Sequence, residues 1–517
     1  MRLFAFLSKI SILEIILFPY FMQKYLLETI VFLSGFIVLT YEVVGARILW
    51  PYYGTSTFVW TAMIGIILAS LSIGYYTGGR WADKKDADIE TLSDLLWLSG
   101  VAIAITYIIR IPLLDALSTH IHDIRIGSII AATLLFAPAS ILLGMMSPYA
   151  VRLRIDRLTS SGATIGMMSA LGTLGSILGT FITGFYLIPH FGVSTLLALL
   201  PISLVLLAFF ASPSHHPIRK VGSLLIILIL PTLMSQIHDT HASIEIDTLY
   251  SHIRVYDQTL PQTGERLRTM GINIENHSTM SLDSDRLVNE YTKYYHLARH
   301  FFPGFQTGLM LGGAGYSFPK DYIAKYKDAT LDVVEIDPGV TALAKKYFWL
   351  TDTPRMLIFH EDGRVFLNQN KKIYDVIFGD AFTSWYSVPY QLSTREAVEK
   401  KYNSLSMSGL VILNLISSIE WETGEFLRAE YATYKSVFPQ VYIIPVNHPG
   451  NGKIFQNHIL IALKNTTIPS WTSKENDING YLSHVWTGDI SDDMPILTDD
   501  FAPVDHYIGK YLKYFSH

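Results

Sequence analysis

The hydrophobic pattern of the chain changes character near residue 240. Before it, apolar stretches of about 20 residues, the length that crosses a bilayer, recur. They lie at 29–50, 58–79, 92–111, 126–147, 163–188, 193–211 and 221–237. They predict a transmembrane domain over 1–240 with about seven spans. A further apolar stretch, 5–22, is interrupted by Lys9 and Glu14 and shows no small-residue cleavage site. It reads as an interfacial or extra helix rather than a cleaved signal peptide. After residue 245 the period shortens. Ile244, Ile246, Ile253 and Val255 alternate with polar residues, as do Leu267, Met270, Ile272 and Ile274. This predicts a small antiparallel β domain over 245–288, with a hairpin turn at Thr263-Gly264-Glu265.

From 289 to 517 short apolar runs alternate with helical patterns. Strands are expected at 309–311, 331–337, 355–360, 374–378 and 409–415, with helices at 291–302 and 341–348. That alternation predicts a parallel, doubly wound α/β sheet. Charge follows the same division: 26 charged residues fall in the first 240 positions and 57 in the remaining 277. A net charge of −5 offers no footprint for a nucleic acid. The absence of Cys excludes disulfides, thiolate metal sites and a Cys nucleophile. The scattered His215, His216, His238, His241, His277, His296, His300 and His360 form no metal-ligand spacing, so no metal is expected.

Within the apolar half, Glu42 lies inside the first span, followed by Arg47. It reads either as a functional ionisable group or as a hydrogen-bonded packing residue. Gly172, Gly175, Gly179 and Gly184 punctuate the fifth span, and Gly175–Gly179 has the spacing that lets helix backbones approach. Gly78 to Lys85 resembles the short cytoplasmic loop of major-facilitator-type transporters.

In a doubly wound sheet, ligands bind beyond the carboxyl ends of the strands. The first strand runs into Gly312-Gly313-Ala314-Gly315, where a backbone without side chains admits a close ligand. The second ends in Glu335, placed to accept hydrogen bonds from ribose hydroxyls. The third is followed by Asp362-Gly363, where Asp362 can meet an adenine amino group, and the fourth ends in Gly379-Asp380. Together these ends describe a nucleoside pocket. The last glycine of a dinucleotide fingerprint is replaced by Phe318, and basic residues for a pyrophosphate are sparse. An adenosyl thioether or sulfonium fits better.

Four segments carry a family resemblance: Leu309 to Gly315, Val333 to Asp337, Glu361 to Leu367 and Tyr374 to Asp380. In that order and at similar spacing they resemble spermidine synthase, a polyamine aminopropyltransferase. The apolar half and the closing Leu497 to Val504 resemble the membrane-fused branch of that family. The resemblance implies an α-helical transmembrane bundle, a small antiparallel β domain, and a Rossmann-like α/β domain of methyltransferase type. It implies aminopropyl transfer from decarboxylated S-adenosylmethionine, a co-substrate rather than a bound cofactor, to a small-molecule amine. A lipid bilayer and a homodimer complete the implied partners. Gly312, Gly313, Gly315, Glu335, Asp362 and Gly363 would hold the nucleoside and Asp380 would be the base. Tyr295, His296 and Thr383 would face the amine.

The amine side departs from the family pattern. Gly315 and Thr383 stand where the soluble enzymes carry Asp, and Leu297 stands in place of Glu. Asp499 and Asp500 either replace these acids or form a polar turn before a terminal strand. Phe382, Trp385, Tyr386 and Tyr390 offer faces for an alkylammonium or an apolar lid wall. Thr394 is expected to cap a helix. The competing readings are a transporter or receptor that binds a polyamine or nucleoside without turnover, and a transferase acting on another acceptor.

Sidedness sets two arguments against each other. Arg80, Lys84, Lys85, Arg152, Arg154, Arg157, Arg219 and Lys220 follow alternate spans, which places those loops in the cytoplasm and residues 245–517 outside it. Adenosylmethionine chemistry calls for the cytoplasm, which a re-entrant 221–237 would restore. The charge pattern is the stronger, and the expected outcome is extracytoplasmic. Alkaline phosphatase fused after His517 should be active, whereas fluorescence from a cytoplasm-only fluorophore fused there would reverse the assignment.

Overall fold

The computed structural model describes residues 25–84, 87–121, 123–155, 161–238, 244–273, 275–381 and 388–510. It divides into two compact units. The apolar segment 5–22 lies outside the described residues.

The first unit is helical. Among the described residues, six helices are long and apolar enough to cross a membrane. They are Leu26–Tyr53, Thr57–Lys84, Ile89–His120, Ile124–Arg154, Ser161–Phe191 and Val193–Ala211. The expected segment 221–237 lies within a further helix, Pro217–His238. Glycine contacts bring helices together. A Cβ on Gly175 would run into the carbonyl oxygen of Phe32, one on Gly179 into that of Phe36, and one on Gly35 into that of Gly172. Small residues at this spacing let helix backbones pack directly against one another. Gly74 meets Ile141 and Gly144 in the same manner.

Polar side chains stitch the rest of this unit. The Tyr41 hydroxyl bonds Thr106 at 2.9 Å and the Leu135 carbonyl at 3.1 Å, joining three helices. Thr40 meets Thr183 at 2.8 Å, at the start of a π-helical turn Thr183–Leu187. Lys220 is buried and donates to Ser93, Ala208 and Ser212. Glu42 is half-buried, and Arg47 lies over the Trp50 ring.

The second unit holds two sheets. The small one has the order β1-β2-β3-β4, all antiparallel: Ile244–Asp247, His252–Thr259, Arg266–Ile272 and Glu275–Ser281. Gly264 takes a φ of 73° in the turn between β2 and β3, as the hairpin reading requires. The large sheet has seven strands in the order β10-β11-β9-β8-β5-β6-β7. Five run parallel: β5 Thr307–Leu311, β6 Thr330–Val334, β7 Met356–Phe359, β8 Tyr374–Gly379 and β9 Leu405–Ser417. β11, Gln456–Leu463, is antiparallel to β9, and β10, Gln440–Pro445, is antiparallel to β11. The central strands are buried on both faces, which explains their continuous apolar runs. The strand order reverses between β5 and β8, so the ligand crevice opens at their carboxyl ends.

The glycine contacts make a paired test. Gly175→Leu forces a side chain into Phe32 and should cost about 1–3 kcal/mol, the usual scale of overpacking. Gly184, in the same span, meets nothing within 4 Å, so Gly184→Leu should leave the thermal midpoint of the detergent-solubilised chain unchanged. Equal midpoints for the two variants would show that this seam does not hold the helices.

Candidate active site

The crevice is built from the loop after β5. Gly312 has a φ of 97°, and a Cβ there would collide with the Asp380 carbonyl oxygen. Only glycine lets the two strand ends approach this closely. The next two residues turn their N–H groups onto one carboxylate. Gly313 and Ala314 donate to Glu335 Oε2 at 2.8 and 3.2 Å, and the Asp337 N–H donates to Oε1 at 3.0 Å. Glu335 is 8% exposed. Burial raises its carboxyl above the ordinary range, against the pull of these three N–H groups. Asp337 in turn caps the helix Pro338–Tyr347 through the Gly339 N–H.

Gly315 is closed off from the crevice. A Cβ there would lie 2.5 Å from Ser278 Oγ, a residue of β4. The small sheet thus packs on the glycine loop, and Ser278 also bonds Ser317 at 3.0 Å. Asp362 caps the helix Gly363–Gln369 by accepting from the Arg364 and Val365 N–H groups. Its second oxygen accepts from Gln391 at 3.4 Å.

Asp380 follows β8 directly. Its Oδ2 accepts from the Tyr291 hydroxyl at 2.9 Å and its Oδ1 from the Asn414 carboxamide at 3.1 Å. Tyr295 donates to the Gly379 carbonyl at 3.3 Å and also reaches Asp380. Desolvation pushes the Asp380 carboxyl up to about 6, and the Asn414 and tyrosine hydrogen bonds oppose the rise. A carboxylate tuned this way can hold a proton near neutral pH and release it again. Beside it, a small cavity of about 30 Å³ is lined by Gly379, Ala381, Leu392, Lys401 and Glu430, among others.

The structure therefore gathers Gly312, Gly313, Glu335, Tyr295 and Asp380 around one crevice. His296 is turned elsewhere. Its Nε2 meets Asp321 at 2.8 Å and its Nδ1 meets the Tyr326 hydroxyl at 2.7 Å. Both ring nitrogens are engaged by the helix Ser317–Lys325 and the residue that follows it, so nothing remains to face an amine. Thr383, with Phe382, Trp385 and Tyr386, lies outside the described residues. Asp499 accepts from Arg364 and Thr394, and Thr394 caps the helix Arg395–Asn403. Asp499 thus ties two helices rather than supplying an acid to Asp380.

Two further residues, Tyr291 and Asn414, bond Asp380 and carry only a faint signal in the sequence. Tyr291 stands four positions before Tyr295, on the same helical face. Asn414 is a lone polar residue in the apolar run Leu410 to Ile416, and such a residue in a buried strand needs a partner.

Known proteins are similar to this chain. Residues 294–466 match the family described as "Spermine/spermidine synthase domain". A polyamine aminopropyltransferase of Vibrio vulnificus is 27% identical over 255 residues, covering 49% of this chain and 82% of that protein. A probable polyamine aminopropyl transferase of Bifidobacterium longum is 23% identical over 290 residues, covering 52% of this chain and 62% of that protein. Among solved structures, a probable spermidine synthase from Corynebacterium glutamicum aligns with a TM-score of 0.40 and 20% identity. It covers 54% of this chain and 94% of that one.

The raised Asp380 carboxyl carries a signature in stability. Between about pH 4, the ordinary Asp range, and about 6, the folded chain binds a proton that the unfolded chain has lost. Stability from this group is full below that window and is lost as pH rises through it. Asp380→Asn stays neutral throughout. It should unfold at a higher temperature than the parent at about pH 8 and level with it at about pH 4. A gain that persists at the lower pH would refute the assignment of the shift to Asp380.

Proposed function

We propose, from the match of residues 294–466 to the spermine/spermidine synthase family, that the chain is a membrane-anchored aminopropyltransferase. Its donor is decarboxylated S-adenosylmethionine and its acceptor an amine. The observation that carries the reading is Asp380: a carboxylate at the switch point, beside the glycine loop, with its proton affinity raised toward neutrality. The six apolar helices support the anchoring.

The residues supply binding, orientation and a proton acceptor. The glycine loop leaves room for the adenosyl group, with Glu335 beneath it for the ribose and Asp362 with Gly363 toward the adenine. An amine arrives protonated and is no nucleophile in that state. Asp380 takes its proton, and the nitrogen lone pair attacks the methylene carbon next to the sulfonium. The new C–N bond forms as the C–S bond breaks. The bonding pair goes to sulfur, leaving neutral methylthioadenosine. The sulfonium is already an activated leaving group, so no acid is required. Holding the nitrogen in line with the C–S bond supplies much of the rate.

The test is product analysis. The detergent-solubilised chain, incubated with decarboxylated S-adenosylmethionine and a mixed amine pool, should release methylthioadenosine together with an amine heavier by one aminopropyl group. Asp380→Asn should keep methylthioadenosine affinity and lose turnover by about 10²-fold or more, the usual scale for a general base. An unchanged rate in that variant would remove Asp380 from the chemistry.

A further inference from the structure

We propose that Asn457 is a positioning residue that holds Asp380 ready to accept a proton, acting through Asn414. The inference rests on the reading of Asp380 as the base. Asn414 lies on β9 and Asn457 on β11, the neighbouring antiparallel strand. Asn414 faces Ile459 and Asn457 faces Ile416, so the two carboxamides are diagonal neighbours. The Asn457 Nδ2 donates to Asn414 Oδ1 at 3.0 Å, and the Asn414 Nδ2 donates to Asp380 Oδ1 at 3.1 Å.

A carboxamide has an acceptor end and a donor end. Next to a carboxyl group, Asn414 could present either. Its nitrogen stabilises the ionised acid, and its oxygen stabilises the protonated one. Asn414 is only 2% exposed, so water is not at hand to satisfy whichever end is left over. The donor from Asn457 occupies the oxygen and directs the nitrogen to Asp380. The opposite oxygen of Asp380 takes the Tyr291 hydroxyl. Both oxygens of the acid therefore receive donors, which is the environment of a carboxylate awaiting a proton.

The titratable groups around Asp380 leave this role to the carboxamides: Lys401 and Glu430, which line the cavity beside it, are set against each other, and Lys401 donates to the Leu392 carbonyl and the Tyr434 hydroxyl. Tyr291 and Tyr295 are held protonated by burial. Glu335 is bound to the Gly313 and Ala314 N–H groups. Asn457 donates to Asn414 and not to the acid itself. Its backbone carbonyl continues the β structure by accepting from Val446.

Two variants of the full chain in detergent test this. Asn457→Leu removes the donor without adding charge. Asn457→Asp keeps the size and offers only acceptors, so the Asn414 nitrogen turns toward it. The readout is infrared spectroscopy across pH, following the carboxyl stretching band that Asp380→Asn abolishes. In both variants the ionisation of Asp380 should move to higher pH, by about tenfold in acid constant, the scale of one hydrogen bond to a charged group. The acid limb of kcat/KM for methylthioadenosine release should move with it. An unshifted band, or a loss of activity equal at every pH, overturns the proposal, since a purely structural role would give that result. A shifted band in a chain that releases no methylthioadenosine with any amine would leave the relay standing and defeat the transferase reading.

Discussion

The approach of Gly312 to the Asp380 carbonyl governs the geometry of the second unit. β5 and β8 pair in parallel up to Leu311 and Gly379, and beyond that point the chain leaves the sheet in two directions. Asp380 still donates its N–H to the Leu311 carbonyl at 2.9 Å. Any side chain at Gly312 would pry these ends apart and separate the glycine loop from the acid. With them together, the loop folds over Glu335, and its N–H groups satisfy a carboxylate that burial would otherwise leave exposed to a large desolvation cost. The glycine loop and Asp380 thus share one crevice because one residue lacks a Cβ.

Among the described residues, the side chains that bond Asp380 are hydroxyl and carboxamide groups rather than a second acid. Gly315 is sealed under Ser278 and Phe348, and His296 is committed to Asp321 and Tyr326. Asp499 spends its oxygens on Arg364 and Thr394. The glycine loop is held by backbone geometry and one buried carboxylate, Glu335.

The two units solve the same problem of buried polar groups in different ways. In the first, helices satisfy their own backbones, and glycines such as Gly175 and Gly179 let carbonyls and Cα atoms of neighbouring helices touch. In the second, buried carboxylates take up the N–H groups that loops and helix ends expose: Glu335 for the glycine loop, Asp337 and Asp362 for two helix starts.

What the sequence alone determined was whatever has a period or a local spacing. Apolar stretches marked the helices, alternation marked β1 to β3, and the βα rhythm marked the parallel sheet with glycines and acids at its strand ends. The glycine seam of the fifth span was legible because small residues three and four apart share a helix face. Tertiary structure alone decided which of those residues meet. His296 sits one residue from Tyr295 in the chain, yet helical geometry turns it toward Asp321 while Tyr295 faces the Asp380 loop. β10 and β11 were not legible, because a mixed edge has no signal apart from its pairing. Asn414 and Asn457 are 43 residues apart and become neighbours only through that pairing. A contact between strands depends on register, and register is set by the whole sheet rather than by either segment.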